Sequence, residues 1–412
     1  MVLTPRYAGY LISATAADMA TPIFSIFLPL FAAGLGASAF ELGLVGGASY
    51  GVYCFLPFVM GHFSDRSGSR SFFIITSLAL LGIVSVLYSV TNDPVTLITV
   101  RVFEGVGWSM LWPAMDAAVS EDTARDSKSS LAIYNYLWSG GAAVGPFFGT
   151  FLVTTFSYRS AFFATGILFG ALILLNGVAY WRERNHGDGK NDSEPAHRLP
   201  GTGPLDIRPV FRTAAGESRG IEVWTALVTI GLVTLSSLTF YTFFGPYASS
   251  IGMAVVLIGV VTATFGVVRF VVFVVLANRK SLRDRVFDTR NRVRNLVAFA
   301  GMASLSSLLL VIKDPTGLVY FLAFGILGIG FSVVYAVSQA TLIAEAAPEQ
   351  RGAAAGLFES SLGVGGVIGP IMAGVVSSSK SLSTAFVVPA ASLGFVLVLL
   401  LVLFSVRRRS RS

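Results

Sequence analysis

Gly61-His62-Phe63-Ser64-Asp65-Arg66-Ser67-Gly68-Ser69-Arg70 is a short polar stretch set between two long apolar runs, residues 42–60 and 72–90. Charge of this density does not lie inside hydrocarbon, where every unpaired polar group costs free energy. The stretch is therefore expected to be a tight turn at a membrane face. Composition agrees. Of 412 residues, 54% are hydrophobic and only 12% are charged, against about 25% charged in an average soluble domain. A soluble chain this apolar could not cover its own surface. The single cysteine, Cys54, excludes an internal disulfide framework.

Crossing the hydrocarbon core takes roughly 20 apolar residues in a helix. Twelve such runs follow one another at about residues 7–34, 41–61, 71–91, 94–119, 129–155, 159–181, 221–246, 254–277, 293–312, 316–344, 352–376 and 382–406. They are referred to below as spans 1 to 12. The first run is too long for a signal-peptide core and reads as a span. Most connectors are short, so neighbouring spans run antiparallel. The exception is 183–220, rich in Pro, Gly and charge, which reads as a flexible linker. The predicted fold is an all-α integral membrane protein of 12 transmembrane helices in two six-helix bundles, residues 1–182 and 221–406, followed by a basic tail, 407–412.

Lys and Arg set the orientation. With the N-terminus in the cytoplasm, only Arg159, Lys313 and Lys380 of the 29 basic residues fall outside, while Arg101 and Arg269 lie within spans. This positive-inside bias predicts both termini in the cytoplasm of an inner-membrane protein. It also accounts for the net charge of +7 without nucleic acid. The two halves are related. Gly145-Pro146 in span 5 matches Gly369-Pro370 in span 11, and Gly105-x-Gly107 in span 4 matches Gly328-x-Gly330 in span 10, at almost the same spacing. That pattern predicts a parallel repeat.

On these motifs the whole chain resembles the major facilitator superfamily, closest to its 12-helix drug:proton antiporters. The family pattern between spans 2 and 3, G-x-L-A-D-R-x-G-R-[KR], is followed by Gly61 to Arg70 with departures at Phe63, Ser64 and Ser69. The pattern R-x-x-Q-G-x-G appears in span 4 as Arg101-x-x-Glu104-Gly105-x-Gly107, with Glu for Gln. The antiporter-associated pattern of span 5 appears as Gly141-x-x-x-Gly145-Pro146-x-x-Gly149, with Thr150 for its last glycine. Pro348-Glu349-x-x-Gly352 resembles the loop before span 11. The resemblance implies alternating access by rocking halves. It also implies a latch of Gly61, Asp65, Arg66, Gly68 and Arg70, with Asp65 holding span 2 to the start of span 11 near residues 353–357.

Charges in mid-membrane cost about 2.5–3.5 kcal/mol even on lenient scales and mark function. Asp18 lies about 11 residues into span 1, roughly 16 Å deep at 1.5 Å per residue. Arg101 lies at similar depth in span 4. Since the resemblance puts both spans beside a central cavity, Asp18 is expected to pair with Arg101, and Glu104 to lie one turn deeper. An Asp held between burial and a nearby Arg suits proton coupling. Asp116, Arg269 and Glu359 lie nearer the cytoplasmic face as gate candidates. The sequence leaves open whether Arg269 pairs with Glu359 or snorkels. Because Phe324 stands at Arg101's place in the repeat, the charged machinery is expected in the first half.

Trp108, Trp112, Trp138, Tyr241, Phe240 and Tyr335, with Asn135 and Gln339, are the candidate lining of a substrate cavity, suited to lipophilic or cationic compounds. Tyr247 reads as part of an interfacial belt. Pro22 and Pro29 should break span 1, and Pro146 and Pro370 spans 5 and 11. The glycines of span 5 offer a smooth face expected against span 8. No phosphate-binding loop is present, so ATP is not an expected partner. The histidines, His62, His186 and His197, are too scattered for a metal site. No enzyme activity and no cofactor are expected. The partners are a small-molecule substrate and lipid, the oligomeric state a monomer, and the coupling ion a proton. The leading expectation is export of a small lipophilic compound in exchange for protons. The alternative is a symporter or uniporter for a nutrient such as a sugar or organic acid.

Overall fold

The computed structural model describes residues 5–67, 69–120, 127–185, 220–346, 351–392 and 394. Gly68, the linker from 186 to 219, residues 347–350, the later part of span 12 and the tail lie outside the described residues. Eleven of the predicted spans are helices, and span 12 opens with a turn of 3-10 helix at Leu382–Phe386. Ten helical stretches are long and apolar enough to cross a membrane among the described residues. Span 4, Pro94–Ser120, is 27 residues long and less apolar because it carries Arg101, Glu104 and Asp116. All three are buried in protein, away from lipid. The outward faces carry side chains such as Ile83, Phe103, Ile167, Leu174 and Leu322, as hydrocarbon demands.

The opening stretch is not a tight turn. Span 2 continues as a helix from Leu56 to Ser67, so Gly61 to Ser67 form its last two turns. Pro57, Gly61 and Ser64 are its buried side, and Pro57 and Gly61 meet the start of span 11 at Gly356 and Gly352. That packing carries the helix past the point where the sequence turns polar. Span 2 is instead broken earlier, between Tyr53 and Leu56. Pro57 cannot donate to the Tyr53 carbonyl, and the chain bends there.

Span 1 breaks as expected. An α-helix from Pro5 to Pro22 gives way to a π-helical segment, Ile23–Phe27, before Leu28–Gly34. Pro22 has no N–H for the Asp18 carbonyl and Pro29 none for Ser25, so the helix is loosened at both residues. Spans 5 and 11 correct the expectation. Pro146 and Pro370 sit inside unbroken helices, Ser127–Thr155 and Arg351–Ser378. In span 5 the carbonyl that Pro146 leaves without a donor is that of Ala142, and Gly266 of span 8 packs directly over it. Neighbouring helices commonly accommodate proline in this way.

The glycine pattern of span 5 does a different job from the one expected. A side chain on Gly141, Gly145 or Gly149 would collide with span 1, at Thr15 and Met19, at Met19 and Pro22, and at Ile23 and Phe27. Span 8 reaches span 5 through its own Gly259 and Gly266. The motif therefore seats span 1, and with it Asp18. Gly141→Val is expected to destabilise the fold by about 1–3 kcal/mol or more, the usual cost of overpacking. Thermal unfolding in detergent checks this, and an unchanged midpoint would mean that spans 1 and 5 do not meet there. Span 11 repeats the design, with Gly365 and Gly369 on span 7 and Gly356, Gly363 and Gly366 on span 2.

Candidate functional site

A cavity of about 150 Å³ lies between the two sets of spans, room for something on the scale of a benzene molecule. Its wall takes Asp18, Arg101 and Glu104 from the first half and Arg269 and Glu359 from the second. Trp108, Trp112, Trp138, Tyr241 and Tyr335 line it, as do Tyr50, Tyr53, Phe24, Phe265 and Phe331. The charged groups thus come from both halves, which corrects the expectation that they are concentrated in the first.

The expected pairing is also corrected. Asp18 is joined not to Arg101 but to Arg269, whose Nη2 donates to Asp18 Oδ2 across the halves. Arg269 does not snorkel. Its guanidinium lies over Trp138, 4.4 Å from the ring centroid, and beside Phe265 at 5.3 Å. Rings on these faces favour a cation and leave its in-plane N–H groups free to reach a carboxylate. Arg269 and Glu359 are not a pair, since Glu359 accepts instead from the Tyr53 hydroxyl at 2.6 Å.

Arg101 turns to its own helix. Nη1 donates to both oxygens of Glu104, at 2.6 and 2.7 Å, and Nε donates to the Val45 carbonyl of span 2 at 2.7 Å. Glu104 accepts further from Tyr88 Oη at 2.5 Å and Trp108 Nε1 at 2.8 Å. Gly105, one residue on, lets span 4 touch the Ser49 backbone. This cluster ties spans 2, 3 and 4 together with its donors and acceptors matched.

On the side towards Asp65, polar residues of the two halves are hydrogen-bonded to one another. Trp138 Nε1 donates to Asn135 Oδ1 at 2.9 Å, Asn135 Nδ2 to Gln339 Oε1 at 2.7 Å, and Gln339 Nε2 to Asp116 Oδ1 at 3.5 Å. Asn135 and Gln339 are thus cross-half contacts beneath the cavity and not part of its wall. Phe240 is also off the wall, buried among Phe324 and Phe386. Tyr247 is 5% exposed and packs on Tyr320 and Phe386, so it is core and not belt. On the opposite side, Gly245 of span 7 packs on Ile26 and Leu30.

At the Asp65 end, Asp65 Oδ2 accepts from the Ala353 amide at 3.0 Å, and Oδ1 takes Arg70 Nη2 at 2.6 Å. Arg70 Nη1 also donates to Ser64 Oγ at 2.8 Å. Gly61 lies against the Gly352 backbone, and a side chain on Gly352 would strike the Asp65 carboxylate. Arg66 is exposed. Arg351 Nη1 donates to the Ser120 carbonyl at 2.6 Å, a second bridge at this end. The second half has a separate clamp: Arg292 Nη1 donates to Glu222 at 2.7 Å and Nη2 to Glu345 at 2.9 Å. Among the described residues no three His, Cys, Asp or Glu side chains gather as metal ligands would.

Tyr50, Tyr53 and the hydroxyls Thr21, Ser25, Ser49, Thr234 and Ser237 of the wall are not singled out by sequence reasoning. They sit on apolar spans with no motif, and only the rotation of each helix turns them inward.

The fold and the cavity define a two-bundle membrane carrier, and the comparisons supply the family. A family model described as Major Facilitator Superfamily matches residues 9–342 and 288–412, and the chain belongs to that superfamily. It is a membrane transporter and not an enzyme. An uncharacterized MFS-type transporter of Methanocaldococcus jannaschii is 19% identical over 361 residues, 85% of each chain. Among solved structures, the nucleoside transporter NupG is similar with a TM-score of 0.69 at 12% identity, covering 97% of this chain and 98% of that one. A bacterial homolog of the human lysosomal transporter Spinster, inward-facing and occupied, gives 0.67 at 13%, covering 98% and 96%. The human organic anion transporter MFSD10 gives 0.62 at 14%, covering 96% and 98%. At these identities the likeness is one of fold.

Proposed function

We propose that this chain exports a small lipophilic organic compound in exchange for protons, with Asp18 as the proton carrier and Arg269 as its counter-ion. The carrying observation is the Asp18–Arg269 bridge, which crosses the two halves inside an aromatic cavity. An ionised Asp18 holds the halves together at mid-membrane. Protonation removes that attraction and frees them to part. Arg101 and Glu104 act as the scaffold beside this exchange. The Asp65 end is the cytoplasmic one in this reading, from the Lys and Arg distribution.

The test begins with a thermal-shift screen of lipophilic compounds on the purified protein at about pH 5.5 and pH 8, a window across which a coupled carboxyl changes charge. Hits are then reconstituted and driven by an imposed pH gradient. Movement of hits against their gradient supports exchange, and indifference to the pH gradient contradicts it.

A second reading rests on the hydroxyls. Thr21, Ser25, Ser49, Thr234 and Ser237 give the cavity hydrogen-bonding groups from both halves, which suit a polar nutrient taken up by symport or uniport. The nucleoside transporter NupG has a similar fold. Nucleosides and sugars in the same screen separate the readings.

The latch gives a further expectation. Asp65→Asn keeps one acceptor oxygen but loses the charge that Arg70 and the Ala353 amide hold. It is expected to leave folding intact and to weaken closure of the Asp65 end by about 1.5–3 kcal/mol, the worth of hydrogen bonds to a charged group. Accessibility of cysteines introduced at that end measures the shift. Unchanged accessibility would remove Asp65 from the closing mechanism.

A further inference from the structure

The connector between spans 8 and 9 is not a bare loop. Span 8 ends at Asn278, an eight-residue helix, Lys280–Phe287, follows, and span 9 starts at Thr289. Side chains of span 9 hold the carbonyls at the end of the short helix. Asn295 Nδ2 donates to that of Val286 at 3.1 Å and Arg292 Nη2 to that of Phe287 at 3.5 Å. Arg283 Nη1 donates to the Ala277 carbonyl of span 8 at 3.2 Å, and Val286 is buried. Arg292 is itself buried, held by Glu222 of span 7 and Glu345 just after span 10. The short helix is thus tied to both neighbouring spans. Its outer side is different. Arg279, Lys280, Arg285, Arg290 and Arg294 are exposed, and among the described residues none of them forms an ion pair. The acids of the segment are Asp284 and Asp288, and Asp288 is taken up by the Arg290 amide and the Asn291 side chain.

Like charges this close on a short helix oppose its formation. The fold holds in place a run of cations that repel one another, and supplies no anion for them. Charge on any loose connector would serve topology. A fixed helix serves binding, because little ordering remains to be done when a partner arrives. Leu282 points to the kind of partner. It is 42% exposed and lies three residues from Arg285, on the same face of the helix. Apolar and cationic side chains together, on a short helix at the end of a membrane span, fit the boundary between acyl chains and headgroups. The anions of that boundary are lipid phosphates. We infer that Arg279, Lys280, Arg285, Arg290 and Arg294 form a surface for the headgroups of anionic phospholipid, with Leu282 meeting the acyl region. Lipid held there braces spans 8 and 9 and, through Arg292, spans 7 and 10. None of these residues lines the cavity, so the surface stands whichever compound is carried.

The test is thermal unfolding of the purified full chain in a neutral detergent, titrated with phosphatidylglycerol, phosphatidylcholine or inorganic phosphate. A ligand of the folded state alone raises the midpoint as its concentration rises. Phosphatidylglycerol is expected to do so. Its apparent dissociation constant, drawn from the midpoints, is expected to weaken about thirtyfold in Arg279→Gln, Arg285→Gln, at about fivefold for each cation near a lipid surface. Phosphatidylcholine carries a cation of its own beside the phosphate and is expected to bind far less. The charge-matched variant Lys313→Gln, Lys380→Gln, changed at exposed positions of the opposite end, is expected to bind as the wild type does. So is Arg279→Lys, Arg285→Lys, which keeps the charge. An absent midpoint shift would overturn the inference, as would an equal response to phosphatidylcholine or to inorganic phosphate. Equal weakening in the two charge-matched variants, or loss of binding in the lysine variant, would overturn it too.

Discussion

Asp18→Asn is expected to leave the chain folded and to abolish pH-driven transport. A one-for-one exchange across about one pH unit supports roughly tenfold accumulation of an uncharged compound, since one unit is worth about 1.4 kcal/mol. In Asp18→Asn that ratio falls to one, while the compound still equilibrates down its own gradient. Asparagine is close in size, so Gly141, Gly145 and Gly149 still seat span 1 against span 5. What is lost is the charge that alternately holds and releases Arg269. With no charge to regain, the bridge never closes tightly. Arg269, still within its cage of Trp138 and Phe265, is left without its counter-ion. Uptake into proteoliposomes of a compound taken from the thermal-shift screen measures the ratio. Full pH-driven accumulation by Asp18→Asn would move the coupling to another group.

Arg101→Met should have the largest effect on stability. Glu104 is 2% exposed, and Arg101 is its only cation among the described residues. Removing one member of a buried pair typically costs about 3–5 kcal/mol, because the other charge stays buried and uncompensated. Tyr88 and Trp108 can still donate to Glu104, but neither supplies charge. The Val45 carbonyl loses the Nε donor as well. The double variant Arg101→Met, Glu104→Gln removes both charges and is expected to recover much of the loss. Thermal unfolding of the single and double variants in detergent gives the comparison. A double variant no better than Arg101→Met would show that the Val45 contact, and not the stranded charge, carries the cost.

The sequence made eleven of the spans and the contact region of Asp65 legible. Those features depend on local quantities: run length, charge at the run ends and a motif of fixed spacing. The partner of Asp18 was not legible. Asp18 and Arg101 share a depth, but depth says nothing about which way a helix is turned. Rotation is set by packing, here by Gly141 and Gly145 holding span 1 and by Gly266 bringing span 8 to span 5. Those contacts point Asp18 at Arg269. The same reasoning covers Glu359, whose partner Tyr53 sits where span 2 breaks. Pro57 announced that break in the sequence, three residues beyond Cys54, within what reads as one apolar run. The proline rule misled in the other direction at Pro146 and Pro370, where glycine-rich neighbours let the helix continue. Extended helix at Gly61 to Ser67 was hidden because polarity marks where lipid ends, not where a helix does.

Infrared difference spectroscopy of the protein in lipid, titrated with acid and compared with Asp18→Asn, tests the proton-carrier role most directly and needs no substrate. The account predicts a protonated-carboxyl band that grows as pH falls and is missing from Asp18→Asn. Identical titrations in the two proteins would show that Asp18 does not change its protonation over this range, and would contradict the account.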